Sequence, residues 1–408
     1  MRIGIDCRTM LDWRKGGESA GIGHYTYYLV KHLVREDTAN EYVLFLDKMI
    51  DQRVKEELLD SAKATVSVRN FPFQALKRCL PFVYGHMVIS SMFEKAKLDL
   101  LHAPANALPM FYRRPAVVTV HDLAVYDHPE WFPMKYAGAA LSFSERIVVP
   151  HSVSAARRVL AVSGQTKADL MRIFSAPDDK IDVIYEGAEP QPETFAAAGA
   201  AAVLKRLRLM GRRYCLQLGT LEPRKNLERS FEAFVALAGS DYHEYRGLDL
   251  IVAGRKGWHA DQIIQALEKA NSDLAQAAVK AHDEPRERIR YVGYLSPEDK
   301  VQVVANAAMF VFPSLYEGFG LPVIEAMSLG VPVIASRRAS LPEICGEAAL
   351  LVDPENVGEI TLAMKKLYDD PALARGLSAA GRQRSKEFNW SRTARETVQA
   401  YAKAVNGA

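Results

Sequence analysis

Short apolar runs separated by longer amphipathic segments recur along the whole chain, and that alternation leaves few folds open. A strand covered on both faces reads as a nearly continuous apolar run, which is what a parallel sheet under helices requires. In the first half such runs fall at residues 3–6, 42–46, 65–68, 98–102, 116–120, 158–161 and 180–184. In the second half they fall at 214–218, 248–253, 289–292, 309–312, 331–335 and 349–352. Helical periodicity lies between them, as at 23–35, 226–238, 260–270, 297–306 and 357–368. This pattern predicts an α/β chain of doubly wound parallel sheets. A chain of 408 residues exceeds one ordinary core, so two or three domains are expected. The Pro- and Ala-rich stretch 187–202 breaks the periodicity and reads as a linker. The expected division is a first domain at 1–190, a linker at 191–203, a second domain at 204–385 and a closing segment at 386–408. Residues 390–405 read as an amphipathic helix with no strand after it, which can pack back onto the first domain. Ligands of doubly wound sheets bind at the carboxyl ends of the strands. Two such sheets facing each other would share a cleft there.

Composition narrows the class. A hydrophobic content of 49% and a charged content of 25% are those of a globular protein. A net charge of +3 does not argue for a nucleic-acid partner. Cys7, Cys79, Cys215 and Cys345 are scattered, so neither a zinc site nor a disulfide framework is indicated. Met1 to Asp6 reads as a first strand rather than a signal peptide, and no apolar run reaches the roughly 20 residues that span a bilayer. A cytoplasmic location is the expectation. Residues 71–93 are apolar, with Lys77 and Arg78, and can lie on the inner face of a membrane or form core helices broken at Pro81 and Gly85.

The most chemical stretch is Glu317-Gly318-Phe319-Gly320-Leu321-Pro322-Val323-Ile324-Glu325. It follows the apolar run 309–312. Gly318 and Gly320 allow a tight loop that a ligand can approach closely, Pro322 suits a first helical turn, and Gly330 suits the helix end. Glu317 is then on the loop and Glu325 one turn into the helix, with backbone N–H groups between them. Carboxylates accept from hydroxyls, and helix N-termini attract phosphate. A ligand with sugar hydroxyls at both ends and a diphosphate between them, a nucleotide sugar, fits. The plain alternative is a pair of solvated surface glutamates.

Other strand ends carry candidate loops. The run 214–218 leads into Gly219-Thr220-Leu221-Glu222-Pro223-Arg224-Lys225-Asn226. Two cations at a helix start oppose the helix dipole, and a phosphate between them would explain them better than a solvated turn does. Gly254-Arg255-Lys256-Gly257-Trp258 and Gly293-Tyr294-Leu295-Ser296-Pro297 close two further strands, with Ser296 as an expected N-cap. The backbone of the second can meet a flat base. Near the start, Gly16 to Gly23 forms a Gly-rich loop before the helix that begins at His24, an anion cradle or a mobile loop. It has neither dinucleotide nor P-loop spacing. His121-Asp122 ends the run 116–120, where His121 points into a cleft or is a satisfied core histidine. No HExxH, clustered His and Cys, or DxD pair marks a metal site.

Together these segments resemble family-4 glycosyltransferases, which are retaining enzymes of the GT-B fold, two facing Rossmann-like domains with an interdomain cleft. The resemblance runs from Asp6-Cys7-Arg8 and Gly21-Ile22-Gly23 through Thr119-Val120-His121-Asp122-Leu123, Val162-Ser163 and Val183-Ile184-Tyr185-Glu186-Gly187. It continues through Gly219 to Asn226, Ala253 to Trp258, Pro313 to Glu325 and Phe388-Asn389-Trp390. It implies that Arg224 and Lys225 hold the donor diphosphate, Glu325 the ribose, and Glu317 with the amides around Phe319 and Gly320 the donor sugar. His121 is implied near that sugar, and Gly23, with Gly21, at the diphosphate. The implied donor site further includes Gly219, Gly254, Leu295, Gly318 and Leu321. The resemblance implies no cofactor, no metal, and front-face displacement in which the leaving diphosphate helps deprotonate the acceptor. The segment His128-Pro129-Glu130-Trp131-Phe132-Pro133 is similar to bacterial mannosyltransferases of O-antigen and other surface polysaccharides, which points to GDP-mannose and a glycan or lipid-linked glycan acceptor. UDP- and other donors stay open, because no side chain reads out guanine. His24 stands where Arg or Asn is common in the family, and neither Asp122 nor Glu186 has an evident role. A sugar-nucleotide epimerase of the same fold would need further acid/base carboxylates near the sugar, and a nicotinamide oxidoreductase would need the strict glycine fingerprint.

Overall fold

The computed structural model of the chain describes residues 1–10, 20–60, 62–73, 82–132, 144–189 and 200–407. It divides into two compact units. The first comprises Met1–Pro129, Met134–Gly187 and Asn389–Ala408, and the second Glu130–Pro133 and Ala188–Phe388.

The first unit is built on a parallel sheet of β1 (Arg2–Asp6), β2 (Glu41–Asp47), β3 (Thr65–Phe71), β4 (Leu100–Ala103), β5 (Ala116–Val120), β6 (Arg158–Ala161) and β7 (Ile181–Val183). Its order is β3-β2-β1-β4-β5-β6-β7. Helices α1 (Ala20–Glu36) and α2 (Gly164–Phe174) are among its covers. The second unit carries β8 (Arg213–Leu218), β9 (Leu248–Ala253), β10 (Ile289–Tyr291), β11 (Met309–Phe312), β12 (Val333–Ser336) and β13 (Ala349–Val352), in the order β10-β9-β8-β11-β12-β13. All pairings are parallel, so the connections must cross over, and helices supply the crossovers. Those that matter below are α3 (Leu227–Ser240), α4 (Ala260–Lys280), α5 (Pro297–Ala305) and α6 (Leu321–Ser328). Strands β5, β9, β11 and β12 are buried throughout, as their mostly apolar runs require. The one carboxylate among them is Asp249 in β9, fully buried beside the guanidinium groups of Arg212 (3.1 Å) and Arg286 (2.5 Å). A buried carboxylate is tolerated only with such partners.

Strand order reverses between β1 and β4 in the first sheet and between β8 and β11 in the second. At such a reversal, consecutive helices leave on opposite faces of the sheet, and the loops at the strands' carboxyl ends part to form a crevice. In the second unit those two loops are Gly219 to Asn226 and Pro313 to Gly320, the ones that carry the cations and the first glutamate.

Elements differ from expectation at their edges. Helix α4 runs ten residues beyond the expected 270, to Lys280, because Leu274 and Ala278 keep facing the core after the charged interruption. Residues 200–203, expected in the linker, already belong to the helix Ala200–Arg206. Helix α1 starts at Ala20, so Gly21 and Gly23 occupy its first turn and are not in the loop that precedes it. The rest of that loop, 11–19, lies outside the described residues, as does 191–199 of the linker. Of the apolar stretch 71–93, Phe71 ends β3 and Phe82–Glu94 is a helix exposing Tyr84, Met87 and Val88, while 74–81 lie outside the described residues. Among the described residues no helix is long and apolar enough to cross a membrane.

The closing helix α7 (Trp390–Asn406) belongs to the first unit. Asn389 caps it by accepting from the Arg392 N–H, and Gly407, at φ +74°, ends it in the left-handed conformation. Trp390 is buried and stacks on Tyr28 of α1, with ring centroids 5.7 Å apart. Thr393 donates to the Tyr185 carbonyl at 2.7 Å. Close approach at the helix start depends on Gly187, where a Cβ would lie 2.3 Å from the Trp390 nitrogen and 2.6 Å from the Asn389 carbonyl carbon. Both neighbours are backbone and cannot rotate away. Gly187→Ala is therefore expected to destabilise the protein by about 1–3 kcal/mol. Urea denaturation measures the loss, and amide exchange should rise first in 390–406. An unchanged midpoint would show that α7 is not held there.

Candidate functional site

The loop after β8 turns through Gly219 at φ +156° and the loop after β9 through Gly254 at φ +149°. The two touch. A Cβ on Gly254 would meet the Gly219 carbonyl oxygen at 1.8 Å, so no other residue fits. The Gly219 N–H donates to Ala253, the Gly254 N–H to Gly293, and the Leu221 N–H to Arg255. These bonds carry the pairing of three strands past the sheet edge and fix the loops that bear the charges. Leu295 is buried beneath the third loop, and Ser296 caps α5 by accepting from the Asp299 N–H.

Pro223–Lys225 forms a single turn that ends at Asn226, which sits at φ +57°. Its side-chain amide donates to the carbonyls of Pro313 and Pro354, at 2.9 and 2.6 Å. The Leu315 N–H donates to the Arg224 carbonyl at 2.8 Å. The β8 and β11 loops are thereby tied together by backbone and amide contacts before any charge is counted.

The charges then meet. Lys225 Nζ lies 2.6 Å from Glu317 Oε1 and 5.2 Å from the centre of the Phe312 ring. Arg224 Nη1 is 3.6 Å from Glu317 Oε2, and its Nε and Nη2 donate to Glu222 Oε1 at 3.0 and 2.8 Å. Glu222 and Glu317 are both buried. Burial opposes the charged form of Glu317, but the Lys225 and Arg224 cations and the hydrogen bond from Lys225 outweigh it and hold its carboxyl below the ordinary range. Two cations and two carboxylates thus form a formally neutral cluster. Lys225 brings three N–H donors and gives one to Glu317, which leaves it able to bridge that carboxylate to an anion.

Gly318, Phe319 and Gly320 are buried and lead into α6, whose first residue is Leu321. The Ser340 hydroxyl donates to the Glu317 and Phe319 carbonyls, at 2.9 and 2.5 Å, and pins this turn. Gly320 adopts φ +127°. Glu325 is one turn into α6, but it faces Lys300 of α5 at 2.6 Å, not the cation pair.

In the first unit, His121 follows β5. Its Nδ1 lies 3.1 Å from Glu186 Oε1 and its Nε2 2.8 Å from the Pro104 carbonyl oxygen. Its N–H donates to Asn106 Oδ1, and its carbonyl accepts from the Thr166 hydroxyl. The ring of Tyr25 meets it edge-on at 4.6 Å. Burial opposes the imidazolium, but the hydrogen bond and charge of Glu186, the Pro104 carbonyl and the charge of Asp122 raise the His121 pKa. Behind it His102 is fully buried, with Nδ1 2.7 Å from the Tyr401 hydroxyl and Nε2 2.8 Å from Thr119 Oγ1. Burial, helped by the charge of His121, lowers its pKa to about 3, so His102 is neutral. Gly23 is buried and Gly21 exposed in the first turn of α1.

Of the residues singled out in the sequence, Arg224, Lys225 and Glu317 converge, with Gly219, Gly254 and the Gly318 to Leu321 turn around them. Glu325 and Leu295 lie on adjoining elements, and His121, Gly21 and Gly23 belong to the other unit. Sequence reading assigned nothing to Glu222, Lys300, Ser340 or Glu186. Only Glu186, a carboxylate three residues past the end of β7, carried a local signal. Among the described residues no group of three or more His, Cys, Asp or Glu side chains is placed to hold a metal ion.

Family models match both halves, "Glycosyltransferase Family 4" over residues 19–191 and "Glycosyl transferases group 1" over 205–384. The O-antigen chain mannosyltransferase B of Escherichia coli is 31% identical over 390 residues, covering 93% of this chain and 95% of that one. The glycogen synthase of Mycobacterium tuberculosis is 28% identical over 341 residues, covering 79% and 75%. Among solved structures, Anabaena Alr3699/HepE in complex with UDP-glucose aligns with a TM-score of 0.71 at 17% identity, over 99% of this chain and all of that one. The protein belongs to the family-4 glycosyltransferases, with two Rossmann-like parallel-sheet domains of GT-B type.

If the ion pair holds Glu317 in place, Lys225→Met leaves a buried carboxylate with Arg224 alone. The expected loss is on the order of 3 kcal/mol at pH 7. A depressed carboxyl contributes stability above its ordinary pKa, and that contribution is lost as pH falls through the folded value. The penalty should therefore shrink as pH falls toward and below 4, where the buried Glu317 of the variant, without its nearest cation, protonates and needs none. Equal penalties at pH 7 and pH 4 in urea denaturation would refute the pairing.

Proposed function

We propose that this glycosyltransferase moves a hexose, mannose from GDP-mannose, with retention onto a glycan or lipid-linked glycan in surface-polysaccharide synthesis. The observation that carries the donor sugar is the near full-length similarity to the Escherichia coli O-antigen mannosyltransferase. The chemistry rests on the neutral cluster at Arg224, Lys225, Glu222 and Glu317. In this reading the donor diphosphate becomes the new partner of Lys225 and Arg224, and Glu317 accepts from hydroxyls of the donor sugar. The amides of the Phe319–Gly320 turn add donors beside it, and Glu325 takes the ribose. His121 is assigned to the donor sugar by the resemblance.

As the glycosidic bond to the diphosphate breaks, negative charge grows on the leaving oxygen. Lys225, already ordered by Glu317 and the β8 loop, is a preorganised cation for that charge and reorganises little at the moment of reaction. Both carboxylates of the cluster are engaged by cations, and the resemblance assigns the acceptor proton to the leaving diphosphate. No metal is assigned a part, and the reaction is placed in the cytoplasm, at the membrane face if the acceptor is lipid-linked.

A UDP-sugar donor is the second reading. It is favoured by the UDP-glucose complex of the structural neighbour, while the glycogen synthase relative leaves the transferred sugar open. A thermal-shift screen of GDP, UDP, ADP and their sugars separates the two. A ligand at a hundred times its Kd stabilises by about 2.7 kcal/mol, so the cognate nucleotide should raise Tm by several degrees. GDP and GDP-mannose are expected to do so. A response to UDP alone would move the donor assignment to the second reading, and a response to ADP alone would overturn both. With the responding donor, Lys225→Ala should lower kcat by a factor on the order of 10²–10³ in protein verified as folded. Turnover at the wild-type rate would remove Lys225 from the reaction.

A further inference from the structure

The surroundings of His121 constrain its protonation more than its position in the sequence does. The Pro104 carbonyl can only accept, so Nε2, 2.8 Å away, must carry hydrogen. Nδ1 faces the buried carboxylate of Glu186 at 3.1 Å. Two acceptors on the two ring nitrogens are satisfied together only by the doubly protonated ring. The other titratable groups around the ring, among the described residues, do not displace this pairing. Asp122 is adjacent in the chain and adds negative charge. Tyr25 of α1 presents its ring edge, and its hydroxyl is 3.2 Å from Thr119. His102 of β4 is neutral, with both nitrogens turned to hydroxyls. The backbone is held as well. Asn106 accepts the His121 N–H from a left-handed conformation at φ +59°, and Thr166 of α2 binds its carbonyl.

We infer that Glu186 is a positioning residue that keeps His121 as a fixed imidazolium, so that His121 acts by its positive charge and not as a proton carrier. Glu186 supplies the counter-charge, and Pro104 prevents the ring from turning. A cation fixed at a strand's carboxyl end suits a phosphate-bearing donor, and to that extent the consequence for turnover rests on the donor reading above. The pairing itself does not. A raised histidine pKa contributes stability that is complete below the ordinary value and is lost as pH rises through the folded value.

The test uses the full chain labelled with ¹³C and ¹⁵N at histidine, followed by NMR across pH 5–9. His121 is expected to show imidazolium nitrogen shifts at pH 7.5 and to titrate above the ordinary histidine value of about 6.5. Glu186→Gln keeps an acceptor for Nδ1 but removes the charge, and should lower the midpoint by about one pH unit or more. In transfer assays the same variant should lose its alkaline activity first and recover toward wild-type rates below pH 6, where the ring protonates again. A structural defect would not be rescued by acid. A neutral His121 ring at pH 7.5 in the wild-type chain overturns the inference without any variant. So does a Glu186→Gln titration that matches wild type. If the NMR behaviour is as expected but no nucleotide sugar supports transfer, the donor reading fails and the His121 assignment stands.

Discussion

A carboxylate is not buried at Glu317 unless a cation lies against it, and Lys225 at 2.6 Å is that cation. Much else in the second unit serves this pairing. Lys225 follows Arg224 on a single turn held by Asn226, whose amide reaches the Pro313 and Pro354 carbonyls. Glu317 sits on a turn pinned from below by Ser340. Gly219 and Gly254 meet so closely that the loops after β8 and β9 behave as one piece. Such an arrangement stabilises little by itself, because desolvation of two charges offsets much of their attraction. What it secures is order. In the proposed reading, the charges that a diphosphate would engage are already in place and only partly exposed, so a reacting anion would find oriented donors beside it.

The first unit shows the same economy with two histidines. His102 and His121 lie at the ends of neighbouring strands, yet their surroundings drive them to opposite states. His102 has only hydroxyl partners and a deep location, so burial decides and the ring stays neutral. His121 faces a carboxylate and a carbonyl, so hydrogen bonds and charge outweigh burial. Environments that push similar groups apart are how one fold assigns them different work. The His102 contact to Tyr401 also explains why the closing helix is part of this unit. Its hydroxyl completes the hydrogen bonding of a histidine that the sheet alone would leave unsatisfied.

The strands were the most legible part of the sequence. The run 309–312 is apolar without interruption, and 116–120 nearly so, because helices cover both faces of each sheet, and that composition survives in one dimension. Element ends were less legible. Helix α4 continues to Lys280 although its periodicity weakens at Asn271-Ser272-Asp273, because Asn271 is held by the Ile289 carbonyl and the helix packs on. The charged loops were half legible. Arg224, Lys225 and Glu317 stood out as unusual charges at strand ends, whereas Glu222 looked like turn composition and Lys300 like one helix charge among several. Nothing local distinguishes a lysine that meets Glu325 from one that meets water.

By itself, then, the sequence determined the class of fold, the two-sheet division and the loops in which chemistry would lie. Each follows from short-range rules: the period of apolar residues, the conformational freedom of glycine, the fixed φ of proline. Tertiary structure decided which charges meet. Lys225 and Glu317 are separated by 92 positions, and His121 and Glu186 by 65. They come together only because strand order reverses between β8 and β11, and because β5, β6 and β7 lie side by side. Protonation followed from those meetings, since a histidine's charge depends on what faces its two nitrogens, and a linear chain does not say what that will be.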